Sequence, residues 1–320
     1  LKLRQNGLKK PVLVLGPTLF RELWIEAEKA DITITVSNFD TLKNLLKLKN
    51  PPKFHIKFDS GMHRQGFYLN DLPEVIKIIK KSKVPPQRGD ARSIKLSGKS
   101  QRSIVGLYTH FASAKDINYP TYTELQFSNF QKAISKFKKA GFSKLICSAS
   151  ATGGTIVNPK YHLDAVRIGI GLYGLWPSKE LELQRKDLKL KPVLSWHSLV
   201  SEIKMLKKGD YVGYDMAERV FQPTKMGIIP IGYWHGFPRA FSGSGEVLIN
   251  GKRAKILGRV SMDLIAVNLN GISAKTGDKA TIIGRQKTGE ISVFEAAQKI
   301  NTIHYELLTR INPLIERVVI

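Results

Sequence analysis

FHIKFDSGMHRQGFYLNDLPEVIKIIKK, residues 54–81, reads as one strand, one loop and one helix. Phe54 to Asp59 is an apolar, β-favouring run, and LPEVIKIIKK follows with apolar residues at helical spacing and lysines on the polar face. The same alternation recurs on both sides. Strands are expected at Pro11 to Gly16, Ile32 to Ser37, Phe54 to Asp59, Ile104 to His110, Leu145 to Ser150 and Val166 to Ile170. Helical patterns separate them: TLFRELWIEAEKAD, DTLKNLLKL, LPEVIKIIKK and ELQFSNFQKAISKFKKAG, the last closed by Gly141. Strand and helix in alternation predict a parallel sheet covered by helices, either open or most of a barrel.

Residues 1–7 read as the tail of a helix ending at Gly7, with no strand before it. An eight-stranded (β/α)8 TIM-type barrel needs two more units, roughly 60 residues at about 30 each. The expected first domain, 1–180, is therefore a β/α barrel incomplete at its N-terminus. VPPQRGDARSIKLSGKSQRS, 84–103, is polar and rich in turn formers and reads as a surface loop. The charged segment SKELELQRKDLKL at about 178–190 is the expected linker. From 190 to 320 the pattern becomes successive strands and hairpins, a mostly β domain. Asn250-Gly251 marks a type I′ turn, and a short helix is expected near SVFEAAQKI.

The composition is 42% hydrophobic, enough for a sizeable core, and a single cysteine, Cys147, excludes an intrachain disulfide framework or a cysteine metal cluster. No run approaches a membrane span, and the first residues lack a signal peptide's apolar core, so a cytoplasmic protein is expected, without membrane partner or metal. Fifty-one basic residues against 26 acidic give a formal charge of +25. The lysines are scattered along helical polar faces with no DNA- or RNA-binding signature, which argues for a solvated surface over a nucleic-acid partner.

Polar residues recur where the open face of a barrel would be, at C-terminal strand ends. Lys57, Asp59 and Arg64 lie in and after FHIKFD, His110 ends IVGLYTH, Ser148 and Ser150 end KLICSAS, and Arg167 lies in AVRIGIGLYG. Singly, each has an ordinary structural explanation, such as a histidine that satisfies a loop carbonyl. Recurrence on four strands makes them candidates for chemistry.

HIKFDSGMHRQGF, GLYTHFASA, VRIGIGLYG, KKGDYVGYD, IIPIGYWHGFPR and ILGRVSMDLIAV, in this order and spacing, resemble the successive signature blocks of the alanine racemases. The resemblance runs over nearly the whole chain. It implies a pyridoxal 5'-phosphate enzyme that interconverts L- and D-alanine by a carbanion, two-base mechanism and supplies D-alanine for peptidoglycan. The family's N-terminal block, with the cofactor lysine, a tyrosine and glycines near the phosphate, has no counterpart here. The expectation is that this block lies upstream of Leu1 and that the chain alone is inactive; the alternative is a racemase-like scaffold without catalysis.

Matched residue by residue, the resemblance makes Tyr214 one of the two bases, supported by His110 and Arg167. A free phenol ionises near pH 10, so a tyrosine base needs such neighbours. Arg167 matches the arginine facing the pyridine nitrogen, and Ser150, Gly169 and Ile170 match phosphate-binding positions. Arg64, Met262 and Asp263 match substrate-carboxylate positions, Lys57 the often carbamylated lysine that orients the arginine, and Tyr233 the tyrosine that narrows the channel. Ala149 stands where the family has asparagine, Trp234 where it has a small residue and His235 where it has an acid. The phosphate-contacting tyrosine has no clear match in LLTRINPLIERV. The family's head-to-tail homodimer would bring Tyr214 and Met262 to the partner's cofactor. The related barrel decarboxylases lack the GYD and SMD blocks in this form.

Overall fold

The computed structural model describes residues 1–82 and 103–320, so the expected loop at 84–103 lies, but for its last residue, outside the described residues. Among these, the chain divides into two compact units, Leu1–Leu190 and Lys191–Ile320.

In the first unit, five strands, β1 (Val12–Pro17), β2 (Ile32–Val36), β3 (Phe54–Lys57), β4 (Ile104–Tyr108) and β5 (Ile146–Ser148), pair parallel in strictly sequential order. Sequential order is that of a β/α barrel; a doubly wound sheet reverses direction partway. A short helix α1 (Lys2–Gln5) precedes β1, and α2 (Arg21–Lys29), α3 (Phe39–Leu45), α4 (Leu72–Lys81) and α5 (Thr121–Lys139) connect the strands. Leu72, Val75 and Ile79 of α4 and Phe127, Phe130, Ala133 and Phe137 of α5 recur at three- and four-residue steps, so each helix turns one apolar face inward. They meet Ile34, Val36, Phe54, Ile56, Leu107 and Cys147 in one buried cluster. Residues alternate across a strand. Thr35, His55, Lys57, Tyr108 and Ser148 therefore stand on the other face, and all five are buried.

Two expectations change. Val166 to Ile170 is not a sixth strand: it keeps a single parallel bridge, Ala151 to Arg167, and then winds into a 3-10 turn at Ile170–Tyr173. The Thr152 hydroxyl accepts the amides of Gly169 (3.2 Å) and Gly171 (3.3 Å), which turns this backbone away from a ladder. The segment expected as linker is partly helical. After α6 (Thr152–Val157), α7 (Lys179–Gln184) starts where the Ser178 hydroxyl accepts the Leu181 amide, and Leu181 is fully buried.

The loop after β3 is organised by one carboxylate. Asp59 Oδ1 accepts the amides of Gly61 (2.9 Å), Met62 (2.8 Å) and His63 (3.0 Å), and Oδ2 accepts that of Arg64 (3.0 Å). Burial raises the Asp59 pKa, but the four donors outweigh it and hold the carboxyl below its ordinary range. Gly66, at φ 133°, closes the loop where a Cβ would stand 2.6 Å from the Asp59 nitrogen.

The second unit is mostly β. A sheet runs in the order β15 (Gly289–Ile291), β14 (Lys279–Gln286), β11 (Glu246–Ile249), β12 (Lys252–Leu257), β13 (Ile265–Asn268), β10 (Thr224–Ile229), β7 (Glu202–Leu206), with β6 (Trp196–Leu199) also on β14. The hairpin β8 (Tyr211–Val212) and β9 (Glu218–Arg219) stands off it. Asn250 and Gly251, at φ 52° and 82°, make the tight turn between β11 and β12. Helices α8 (Val293–Lys299) and α9 (His304–Thr309) follow. Arg253 of β12 pairs with Glu246 (2.9 Å) and with Glu295 of α8, and Lys299 pairs with Glu246. Among the described residues no helix is long and apolar enough to cross a membrane.

Two stability tests follow from these contacts. Asp59→Asn leaves four amides facing one carbonyl oxygen and an NH2 group, and is expected to lower stability by about 1–3 kcal/mol in thermal or urea unfolding. Arg253→Met is expected to cost roughly 1 kcal/mol, since the network is partly solvent-exposed. Burial raises the Glu246 pKa, but Lys299 and Arg253 together hold it below its ordinary value. Its contribution is thus complete above the unfolded carboxyl's pKa and is lost as pH falls through the lower folded one. The wild-type minus Arg253→Met difference should shrink in acid below about pH 4.5.

Candidate active site

Arg167 is the hub of the first unit's polar face. Its guanidinium donates to the carbonyl oxygens of Thr109 (2.6 Å) and Ala149 (2.9 Å) and to the Ser148 hydroxyl, and lies 3.3 Å from His110 Nδ1. Guanidinium has no acceptor, so Nδ1 of His110 must accept and Nε2 carries the ring proton. The backbone cooperates, with the Arg167 amide donating to the Ser150 carbonyl at 3.0 Å. Burial lowers the Arg167 pKa to about 10, with Tyr108 opposing, which leaves it charged at neutral pH.

His110 is pushed down to about 4, by burial first and then by Arg167, Arg64 and Lys57. It is a neutral donor at physiological pH. Lys57, buried, is also lowered, by burial first, then by Arg64 and Arg167, with Asp59 opposing. Arg64 is exposed on the loop that Asp59 organises. Lys57, Arg64, His110 and Arg167 therefore share one electrostatic neighbourhood at the strand ends.

Ser150 is fully buried and its hydroxyl donates to the Tyr161 carbonyl at 2.7 Å. Ala149 is fully buried too and contributes its carbonyl to Arg167. Gly169 stands open, with nothing within 4 Å of where a Cβ would be. Thr152, which sequence reasoning did not single out, fixes this turn through the Gly169 and Gly171 amides. His55 and Tyr108 were also missed. His55 is pushed down to about 4, by burial first and then by Arg167, and its Nδ1 is without a hydrogen-bond partner. A Cβ on Gly106 would lie 2.1 Å from its ring. Strand alternation through Lys57 and His110 was the signal that would have found both.

The remaining candidates lie in the second unit, on three loops packed together. Tyr214 follows Gly213 (φ 73°), and Asp215 and Met216 are also left-handed, at φ 60° and 48°. Arg259 Nε lies 2.7 Å from Asp215 Oδ2. At Gly258 a Cβ would stand 2.5 Å from the Val212 carbonyl, and at Gly232 one would stand 2.2 Å from the Met262 carbonyl, so both contacts require glycine. Tyr233 and Trp234 donate their amides to the carbonyls of Ser261 (3.1 Å) and Met262 (3.0 Å). His235 is a local cap, its Nδ1 3.2 Å from the Gly232 amide. Asn312, in the segment without the expected tyrosine, braces this loop through the carbonyls of His235 and Trp234. Tyr214, Tyr233, Met262 and Asp263 are all exposed, Tyr214 to 68%.

Comparisons with known proteins agree over both units. Sequence models described as the N-terminal and C-terminal domains of alanine racemase match residues 1–177 and 193–319. An alanine racemase of Leptospira interrogans is 32% identical over all of this chain and 79% of its own, and alanine racemase 2 of Bacillus subtilis is 35% identical over 98% and 77%. Among solved structures, alanine racemase from Bacillus anthracis with bound L-Ala-P matches with a TM-score of 0.85 at 33% identity, covering 97% of this chain and 76% of that one. Alanine racemase from Streptomyces lavendulae matches at 0.84 and 27%. A TIM-barrel first domain and a mostly β second one, each carrying its own share of the candidate residues, make this chain a member of the alanine racemase family.

Proposed function

We propose that the protein interconverts L- and D-alanine with pyridoxal 5'-phosphate held in the first unit. The observation that carries this reading is the Arg167–His110 pair, an all-donor guanidinium fixed by two carbonyls and a hydroxyl beside a neutral imidazole. The donor set suits that cofactor. Arg167 offers the pyridine nitrogen a hydrogen bond without a proton to give up, while the open turn at Gly169 leaves room beside Ser150 and Ile170 for a phosphate, which would draw the Ser150 hydroxyl from Tyr161 and the Gly169 amide from Thr152. When bound, the cofactor supplies the electron sink that makes an amino acid's Cα proton removable.

The chain's own residues then have the following work. Arg64 forks the substrate carboxylate, with the Met262 amide and Asp263 beside it and Lys57 behind it. Tyr214 removes the Cα proton of one enantiomer and, in the reverse direction, delivers a proton to that same face, a second base serving the opposite face. His110, with Nδ1 on Arg167 and its proton on Nε2, can steady the phenolate form from which Tyr214 acts as a base. Tyr233 narrows the approach and favours a small side chain. Tyr214 and Met262 are supplied by a second copy in a head-to-tail homodimer, so an isolated protomer is inactive. D-Alanine made in the cytoplasm would serve peptidoglycan synthesis.

The test uses protein expressed from its natural reading frame, mixed with pyridoxal phosphate and either alanine enantiomer in D2O. Deuterium should enter Cα as optical rotation decays from both sides. Cofactor binding without exchange from either enantiomer would instead establish a racemase-like scaffold. Tyr214→Phe should lower racemisation by at least ~100-fold while cofactor binding persists, because only a hydroxyl is removed. Near-normal exchange in that variant, in both directions, would remove Tyr214 from the reaction.

A further inference from the structure

A hydroxyl oxygen has two acceptor sites and one proton. At Thr152 both acceptor sites are taken, by the amides of Gly169 at 3.2 Å and Gly171 at 3.3 Å. The Thr152 methyl lies against Gly171, where a Cβ would stand 2.9 Å from it, which keeps the hydroxyl turned to those amides. Thr152 is 5% exposed, and among the described residues its hydroxyl proton has no acceptor. The Ile170 amide, next after Gly169, is in the same condition. It opens the 3-10 turn Ile170–Tyr173, so no bond within that turn can use it, and among the described residues no other acceptor meets it.

Buried polar groups are nearly all hydrogen-bonded, and each exception needs a cause. Here two unspent donors flank one open turn, with nothing within 4 Å of where a Gly169 Cβ would be. Backbone amides and a hydroxyl that lack acceptors of their own make a seat for an anion. We propose that Thr152 is a further phosphate-binding residue, whose hydroxyl proton goes to the phosphate of the cofactor; this rests on the reading of the Gly169–Ile170 turn given above and deepens it. Helix α6 begins at Thr152 but has six residues, too few for its start to bind an anion. The donors are the hydroxyl and the turn amides.

Thr152 and Ser150 differ in what they give up. The Ser150 proton already serves the Tyr161 carbonyl at 2.7 Å, so phosphate must break one hydrogen bond there to gain another. The Thr152 proton breaks none. When phosphate takes the Gly169 amide, that amide exchanges a neutral acceptor for a charged one, the stronger partner. The Gly171 amide stays on Thr152 and holds the hydroxyl in place. Thr152 thus shapes the turn when it is empty and adds a bond when it is full.

The test uses protein expressed from its natural reading frame. Pyridoxal 5'-phosphate and pyridoxal, which lacks the phosphate, are titrated by absorbance, and inorganic phosphate by the amide shifts of Gly169 and Gly171 in 15N-glycine-labelled protein. Thr152→Val removes the hydroxyl and keeps the shape. It should weaken pyridoxal 5'-phosphate about tenfold, the size of one charge-assisted hydrogen bond, and pyridoxal by less than about twofold. Thr152→Ser keeps the hydroxyl and should hold both affinities within about threefold of wild type. Thr152→Ala is a second hydroxyl-free variant, should the valine one not fold. A role confined to holding the turn would weaken both ligands alike; that result, or an unchanged affinity for pyridoxal 5'-phosphate without the hydroxyl, would overturn the proposal. Failure of the racemase reading looks different. A wild type that racemises neither enantiomer, but whose two amides answer inorganic phosphate at about tenfold lower concentration than those of Thr152→Val, loses the racemase reading and keeps the phosphate seat. Amides that answer neither inorganic phosphate nor pyridoxal 5'-phosphate in the wild type remove the seat itself.

Discussion

A buried cation needs acceptors arranged before it arrives, and the Arg167 guanidinium has them: two carbonyls and a hydroxyl, from Thr109, Ala149 and Ser148. These acceptors sit at the ends of β4 and β5, so one side chain from the segment that follows ties the two strand ends together. Removing any one acceptor would leave a charged donor unsatisfied in a place water reaches poorly. The same guanidinium fixes the tautomer of His110 and adds to the field that keeps it neutral. Fold and candidate chemistry meet in one set of hydrogen bonds.

Much of this was legible in the sequence, for physical reasons that differ by element. The strands and helices of the first unit follow from apolar spacing, because Leu72, Val75 and Ile79 or Phe127, Phe130 and Phe137 can cover a sheet only from a helix. The turn at Asn250-Gly251 follows from the two residue types that accept left-handed backbone at low cost. VRIGI misled because its apolar content matches a strand, whereas its conformation is decided by the hydroxyl of Thr152, which lies 17 and 19 residues before the two amides it accepts. SKELELQ looked like a linker because it is charged; a serine cap and one buried leucine were enough to wind it.

The candidate residues divide in the same way. Lys57, Arg64, His110 and Arg167 were visible because strand ends are where a barrel exposes chemistry. His55 and Tyr108 were not, because an inward-facing polar residue in mid-strand looks like any other strand residue until the sheet's two faces are told apart. Tyr214, Tyr233 and Met262 became visible only through family resemblance. Their loops are held by close backbone contacts at Gly232 and Gly258, which leave no hydrophobic pattern to read.

The loop after β3 draws its shape from Asp59 and two glycines rather than from the side chains it displays. Three of the four amides of Met62, His63, Arg64 and Gln65 are spent on the carboxylate, and of their side chains only Gln65 donates a hydrogen bond, to Ser37 at 3.0 Å, while the His63 ring lies near Tyr68. Selection can therefore rewrite the displayed residues while the loop keeps its form. The rim of this barrel is evolvable in a way its interior is not, since the residues displayed there can drift without putting folding at risk.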